Sequence, residues 1–188
     1  MPRPRSEDKR AAIMSAATRV VSAEGLGAAT ATIAKEAGVS NGSLFTYFDT
    51  KADLLNQLYL ELKTEMGAAA LGGLPADGDL REQLLRMWSR WLRWATAYPE
   101  KRRALAQLEV SDEITSVTHH TGSRAMTGVA ELLERSRENG PMRDAPLAFV
   151  VALASALAEA TIDFVIEDPD NGDAHARTGF DAFWRMIA

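Results

Sequence analysis

Thr30–Lys51 reads TATIAKEAGVSNGSLFTYFDTK, and the punctuation of this stretch decides the fold. Ile33, Ala34 and Ala37 recur at helical spacing and make a short apolar stripe. Gly38-Val39-Ser40 breaks and restarts the chain, and Leu44 and Phe48 form an i,i+4 pair in a second short helix. Gly38 can take the positive φ that ends a helix, and the Ser40 hydroxyl can cap the next. Two helices joined by so tight a turn, the second with small and polar residues outward, read as a helix-turn-helix. Such a unit buries too little surface alone, so the remaining chain is expected to hold and control it.

The outward positions can be named. Ser40, Asn41 and Ser43 surround Gly42 in the first turn of the second helix, about Ser40 to Phe48. Small residues allow close backbone approach, and hydroxyls and an amide suit phosphates or base edges. Thr46 and Tyr47 point away from the Leu44/Phe48 side and are the next expected contacts. Phe45 either stacks on a sugar or thymine methyl or helps fill the core. In Asp49-Thr50-Lys51-Ala52-Asp53, Thr50 and Asp53 fit a capping box for a third helix. Lys51 beside those helix amides is placed to clamp a phosphate.

Upstream, a helix from about Ser6 or Glu7 to Ala23 carries Ile13, Ala16, Ala17, Val20 and Val21 as its buried stripe and stops at Gly25. Residues 1–8 are expected to form an arm, since Pro2 and Pro4 oppose helix and nothing apolar anchors it. Arg3 and Arg5 there are either minor-groove contacts or part of a disordered tail.

The pattern IAKEAGVSNGSLFTYFDTKADLL resembles the N-terminal signature of the tetracycline-repressor-like (TetR) family of transcriptional regulators, with the match covering roughly residues 10–58. The resemblance implies an all-α protein with a three-helix DNA-binding head over 1–52 and a helical ligand-binding and dimerisation body over 53–188. It also implies that Ser40, Asn41, Gly42, Ser43, Thr46, Tyr47 and Lys51 lie at or near DNA. Two residues depart from the family pattern. Ala29 stands where a capping hydroxyl is common, so Thr30 is expected to take part of that role and is itself a candidate DNA contact, and Phe45 replaces a phosphate-contacting tyrosine.

Composition agrees with this division. Residues 1–51 hold seven Lys/Arg against five Asp/Glu, a net of +2, whereas the other 137 hold fourteen against twenty-one, a net of −7. A basic end on an acidic body favours a DNA-facing N-terminal part. The absence of cysteine removes disulfides and thiolate metal sites. No basic-then-apolar leader is read, and the longest near-apolar run, Leu147 to Ala158, falls short of the ~20 residues a bilayer requires. A cytoplasmic protein without membrane contact is expected.

Beyond residue 53, Leu54, Leu55, Leu58 and Leu62 continue a helix to about Ala70, and Gly72-Gly73-Leu74-Pro75 marks a loop. Leu80 to Tyr98 carries Trp88, Trp91 and Trp94 within seven residues. Large aromatics three apart line an apolar ligand cavity, fill a helical core or meet a partner. With Met126, on an expected helix of 116–138, and Phe149, they are the candidate effector contacts. His119 and His120 lack HExxH spacing, and His175 falls in an expected loop, so neither a metal nor a cofactor is expected.

The helix Leu147 to Ile166 is apolar nearly all round, and Phe180, Phe183, Trp184 and Ile187 stripe the last helix. Leu153, Leu157, Phe164, Phe180 and Trp184 are the expected contacts of a homodimer built as a four-helix contact. Glu159 and Asp163 face either a pocket or the dimer rim. Nothing convergent marks catalysis. The expected function is a repressor released from double-stranded palindromic DNA by a small apolar or amphipathic effector. The alternative is a helical sensor or scaffold that does not bind DNA.

Overall fold

The computed structural model describes residues 5–74 and 78–188, with side chains from Ser6 onward. Its elements are helices: α1 (Arg5–Glu24), α2 (Thr30–Glu36), α3 (Asn41–Leu44), α4 (Lys51–Leu71), α5 (Leu80–Ala97), α6 (Pro99–Glu109), α7 (Ser116–Arg124), α8 (Thr127–Arg137), α9 (Leu147–Glu167) and α10 (Gly172–Ile187), with one 3₁₀ turn at Pro169–Asn171. The all-α class is as the sequence implied. The chain forms two compact units, Met1–Thr64 with Tyr98–Arg124, and Glu65–Ala97 with Ala125–Ala188.

In the first unit, Ile13, Met14, Ala16, Ala17, Val20 and Val21 are buried along one side of α1. Gly25, at φ 84°, ends the helix and donates its N–H to the Val21 carbonyl. Pro99 opens α6, where its missing N–H costs nothing, and Ala104, Leu105 and Leu108 face inward as α6 packs on α1. Residues 5–8, expected in an arm, are helical in the structure. Arg3 and the Arg5 side chain lie outside the described residues.

The second unit is centred on Trp88, which is fully buried. Its ring stacks on Phe183 (centroids 5.5 Å apart, 16° between planes), and its Nε1 donates to the Ala176 carbonyl at 3.1 Å. That bond matters, because a buried indole N–H without an acceptor would oppose folding. Val150, Ala158, Ile162, Phe180 and Ile187 complete this interior from α9 and α10. At the end of α8, the buried Arg137 guanidinium donates to the carbonyls of Met142 (2.6 Å), Arg143 (3.2 Å) and Ala145 (2.6 Å) and pairs with Glu134. A charge so placed needs all these acceptors, and together they fix the turn into α9.

Three expected elements differ. The helix expected over 116–138 is two, because the chain leaves helical geometry at Ala125–Met126, where the Ala125 carbonyl lies against Gly67; Gly122 and Gly128 on either side weaken the helix around the break. His175 sits on α10 rather than in a loop, its Nε2 2.9 Å from Asp168 Oδ2. The helix at 147 continues to Glu167, giving 21 residues whose most apolar 18-residue window has a mean hydropathy of 2.0. By length and composition it therefore meets the bilayer requirement that the shorter apolar run did not.

Candidate nucleic-acid interface

The α2–α3 corner is built by backbone bonds that the sequence permits. Ala37 N–H reaches the Ile33 carbonyl, Gly38 N–H the Lys35 carbonyl, and Val39 N–H the Ala34 carbonyl, with Gly38 at φ 69°. A side chain at that φ would be strained, so glycine is what lets the chain reverse here. Ser40 is extended (φ −73°, ψ 152°), and its Oγ accepts the Ser43 N–H at 3.1 Å, capping α3. Leu44 and Phe48 are buried and anchor the corner from below, with the Arg10 guanidinium 5.6 Å from the Phe48 ring centre. Burying such a pair stabilises by about 1.5–3 kcal/mol per side chain.

That anchoring leaves a polar outer set. Ser40, Asn41, Gly42 and Thr46 are exposed, whereas Ser43, Tyr47 and Thr30 are half-buried. The Asn41 amide makes no hydrogen bond among the described residues, so its donors and acceptor are available for a base edge. Thr46 differs: its Oγ1 donates to the Ser43 carbonyl at 2.7 Å, leaving lone pairs but no proton to offer outward. Phe45 is 42% exposed, which places it on the outer surface rather than in the core. Ala29 precedes α2 without a side-chain cap, and Thr30 supplies none.

At the start of α4, Thr50 Oγ1 accepts the Asp53 N–H at 3.0 Å. The reciprocal bond lands one residue early, with Asp53 Oδ2 accepting the Asp49 N–H at 3.1 Å. Asp53 Oδ1 takes Gln57 Nε2 at 2.9 Å, and Gln57 Oε1 takes Arg10 Nη2 at 2.7 Å, so α1 and α4 are tied across the head. Lys51 Nζ donates to the Leu26 carbonyl at 2.6 Å and is half-buried. The ammonium therefore spends one of three protons on the loop after α1. The sequence signals both helix caps, but nothing in residue spacing points to the Lys51–Leu26 or Arg10–Gln57 bonds, which join segments 25 and 47 residues apart.

The candidate effector residues do not gather around a cavity. The second unit has a cleft of about 770 Å³ between α5, the end of α9 and the start of α10, and none of the five lines it. Trp88 is core, held there by Phe183 and Ala176. Trp94 is also buried, with Nε1 on Glu65 at 3.1 Å, and Trp91 lies edge-on to Trp88. Met126 is half-buried in the break before α8, and Phe149 is 53% exposed. Indole bulk was spent on filling, so spacing along one helix could not distinguish filler from lining. The cleft is lined instead by Leu85, Leu92, Val165 and Ile166 with Arg93 and Arg177.

Of the expected dimer residues, Phe164 is 58% exposed, and Leu153, Leu157 and Trp184 are half-buried. Phe180 is a correction: it is fully buried between Trp88 and Trp184 inside its own unit and reaches no outer face. Glu159 is half-buried and Asp163 exposed. His119 lies edge-on to Tyr59.

Comparison with known proteins gives the same assignment as the geometry of the head. The model of the family described as bacterial regulatory proteins, tetR family, matches residues 13–58, which run from the middle of α1 to the first turns of α4. A TetR family transcription regulator from Shewanella is 28% identical with a TM-score of 0.84, over 96% of this chain and 98% of that one. One from Marinobacter aquaeolei is 23% identical with a TM-score of 0.87, over 98% and 97%. The regulator FadR from Bacillus subtilis, solved in complex with stearoyl-CoA, is 16% identical with a TM-score of 0.71, a likeness of fold over 95% and 100%. The helix-turn-helix and its buried anchor lie inside the stretch that matches the family model, and the fold is shared with TetR family transcription regulators over nearly the whole length: residues 13–58 match the bacterial regulatory proteins of the tetR family, and the chain as a whole is similar in fold to those regulators.

Proposed function

We propose that the protein is a dimeric repressor that leaves a near-palindromic operator when a small amphipathic molecule binds its body. The observation that carries this reading is the outer set at Ser40, Asn41, Gly42 and Thr46, held in register by buried Leu44 and Phe48. Asn41 would read a base edge, Ser40, Ser43 and Tyr47 would meet the backbone, and Lys51 would add a phosphate contact with its remaining protons. Residues 1–52 then do the reading, and residues 53–188 pair the subunits and sense the effector.

Two copies are needed because one short helix reads too few bases. A twofold pair places two such helices in successive major grooves. The α9 surface supports this pairing. Phe149, Ala152, Ala156, Ala160 and Phe164 are exposed and follow one another at three- and four-residue steps along one face. Small residues between two phenylalanines let a second α9 approach closely, and only 28% of the most apolar window of this helix is buried in its own chain. A partner helix rather than lipid is the cover proposed here, which accords with a cytoplasmic regulator.

Effector and operator are coupled through free energy. A ligand that favours one head spacing weakens DNA, and DNA weakens that ligand equally. The test is fluorescence anisotropy with duplexes from the region upstream of the gene. Sequence-preferring, salt-dependent binding is expected. Equal affinity for all duplexes, or none, would leave the sensor or scaffold reading in its place.

A further inference from the structure

The cleft in the second unit has a chemical character that the DNA-facing reading does not use. Its walls are α5, the end of α9 and the start of α10, all within one compact unit. At about 770 Å³ it falls inside the range of roughly 300–1,000 Å³ usual for small-molecule sites. Leu85 and Leu92, one helical repeat apart on α5, face Val165 and Ile166 of α9 across an apolar floor. Ile166 is 48% exposed, so this floor is open to solvent.

Four charged side chains border that floor, and they are not equivalent. Asp170 lies in the 3₁₀ turn and Asp173 in the first turn of α10, where unpaired backbone N–H groups stabilise negative charge. Arg93 and Arg177 have no such support. Neither forms an ion pair or side-chain hydrogen bond among the described residues, although Asp173 precedes Arg177 by four positions on the same helix. Arg81, Arg86 and Arg137 of the same unit have carboxylate partners, whereas Arg90, Arg135 and Arg185 have none among the described residues; what sets Arg93 and Arg177 apart is that both line the cleft. Two guanidinium forks from different helices thus stand uncommitted at the rim of an apolar trough. A guanidinium matches the planar oxygens of an acid through paired N–H donors, which an ammonium cannot do.

We infer that this cleft binds an amphipathic organic acid, with the acid group held between Arg93 and Arg177 and the apolar body laid along Leu85, Leu92, Val165 and Ile166. The inference names a site for the effector and so builds on the ligand-responsive reading above. Its chemistry rests on the cleft alone. Polar Ser89 and Thr96 lie on the α5 wall; the Thr96 hydroxyl already donates to the Leu92 carbonyl, so recognition falls to the arginines.

The test is isothermal titration of the full chain, without DNA, using decanoate, decanol and decylammonium below their aggregation concentrations. These share an apolar body and differ in charge. Decanoate is expected to bind at least about tenfold more tightly than decanol, the margin of a charge-assisted hydrogen bond. Arg93→Gln and Arg177→Gln should each erase most of that margin and leave decanol binding unchanged. Equal affinity for decanoate and decanol, tighter binding of decylammonium, or full retention in both variants would overturn the inference. A chain that binds its operator but not decanoate would refute this site and leave the regulator reading intact. A chain that binds decanoate through both arginines but no DNA would do the reverse.

Discussion

Buried Tyr59 and half-buried His119 meet edge to face in the first unit, ring centroids 5.1 Å apart, with His119 Nδ1 3.2 Å from the phenol oxygen. The same hydroxyl lies 3.3 Å from Glu109 Oε1, and Glu109 is paired with Lys63 at 2.6 Å. Burial, followed by the charge of Glu109 and the hydrogen bond to it, pushes the Tyr59 phenol well above its ordinary 10.0. The sign then follows from which state holds the proton. As pH rises past about 10 the unfolded chain loses its phenolic proton while the folded chain keeps it, so stability falls. Below that value the contribution is intact. Tyr59→Phe is expected to cost about 1 kcal/mol at neutral pH and to flatten the alkaline decline. Urea unfolding at about pH 8 and about pH 11 checks this, and equal alkaline slopes in both proteins would refute it.

Gly179 is fixed by its neighbour across the α9–α10 crossing. A Cβ there would overlap Thr161 Oγ1 and lie 2.9 Å from Thr161 Cγ2. Thr161 is stiff at χ1, and its hydroxyl is bound to the Leu157 carbonyl at 2.7 Å, so it yields poorly. Gly179→Ala gains about 1 kcal/mol of helix propensity and loses more to overpacking, for a net cost of roughly 1–2 kcal/mol. Thr161→Ala removes the two clashing atoms. A double-mutant cycle by urea unfolding should therefore show favourable coupling; simple additivity would place the constraint elsewhere.

The head was legible because its signals are local. Gly38, Ser40, Leu44 and Thr50 each do within four residues what their types suggest, and they do it in the structure. The body was less legible because its residues act across helices. Trp88 reads the same from sequence whether it lines a hole or stacks on Phe183, a residue 95 positions away. Phe180 and Phe164 are both apolar residues on long helices, and only the crossing of α9 and α10 buries one and exposes the other. Arg93 and Arg177 gave no signal at all, since charged residues on an amphipathic helix are ordinarily solvated.

Lys51 and Asn41 separate affinity from specificity. Lys51→Ala removes the proposed phosphate contact and the bond to Leu26, so affinity for operator and random duplex should fall alike and the salt slope should drop by about 1. Asn41→Ala removes the one uncommitted amide of the outer set. It should cost about 1–3 kcal/mol on the operator and relax preference at one base step. Anisotropy across a salt series reads both. Unchanged affinity and slope in Lys51→Ala, with its melting temperature retained, would take Lys51 out of the interface.

In the proposed dimer, the α9 stripe decides whether the two heads act together. Phe149 and Phe164 sit at its ends, both more than half exposed, with Ala152, Ala156 and Ala160 between them. Phe149→Asp or Phe164→Asp places a carboxylate where a second α9 would exclude water, and unpaired charge there opposes association. Neither side chain belongs to the core of its own unit, so the monomer should remain folded. Sedimentation is expected to show a dimer for the wild type and a monomer for the variants. Losing the second head should then reduce operator affinity by about 10²–10⁴ while each head still contacts DNA weakly. A variant that sediments as a dimer would move the interface off this face, and a monomer that keeps full operator affinity would remove the need for two heads.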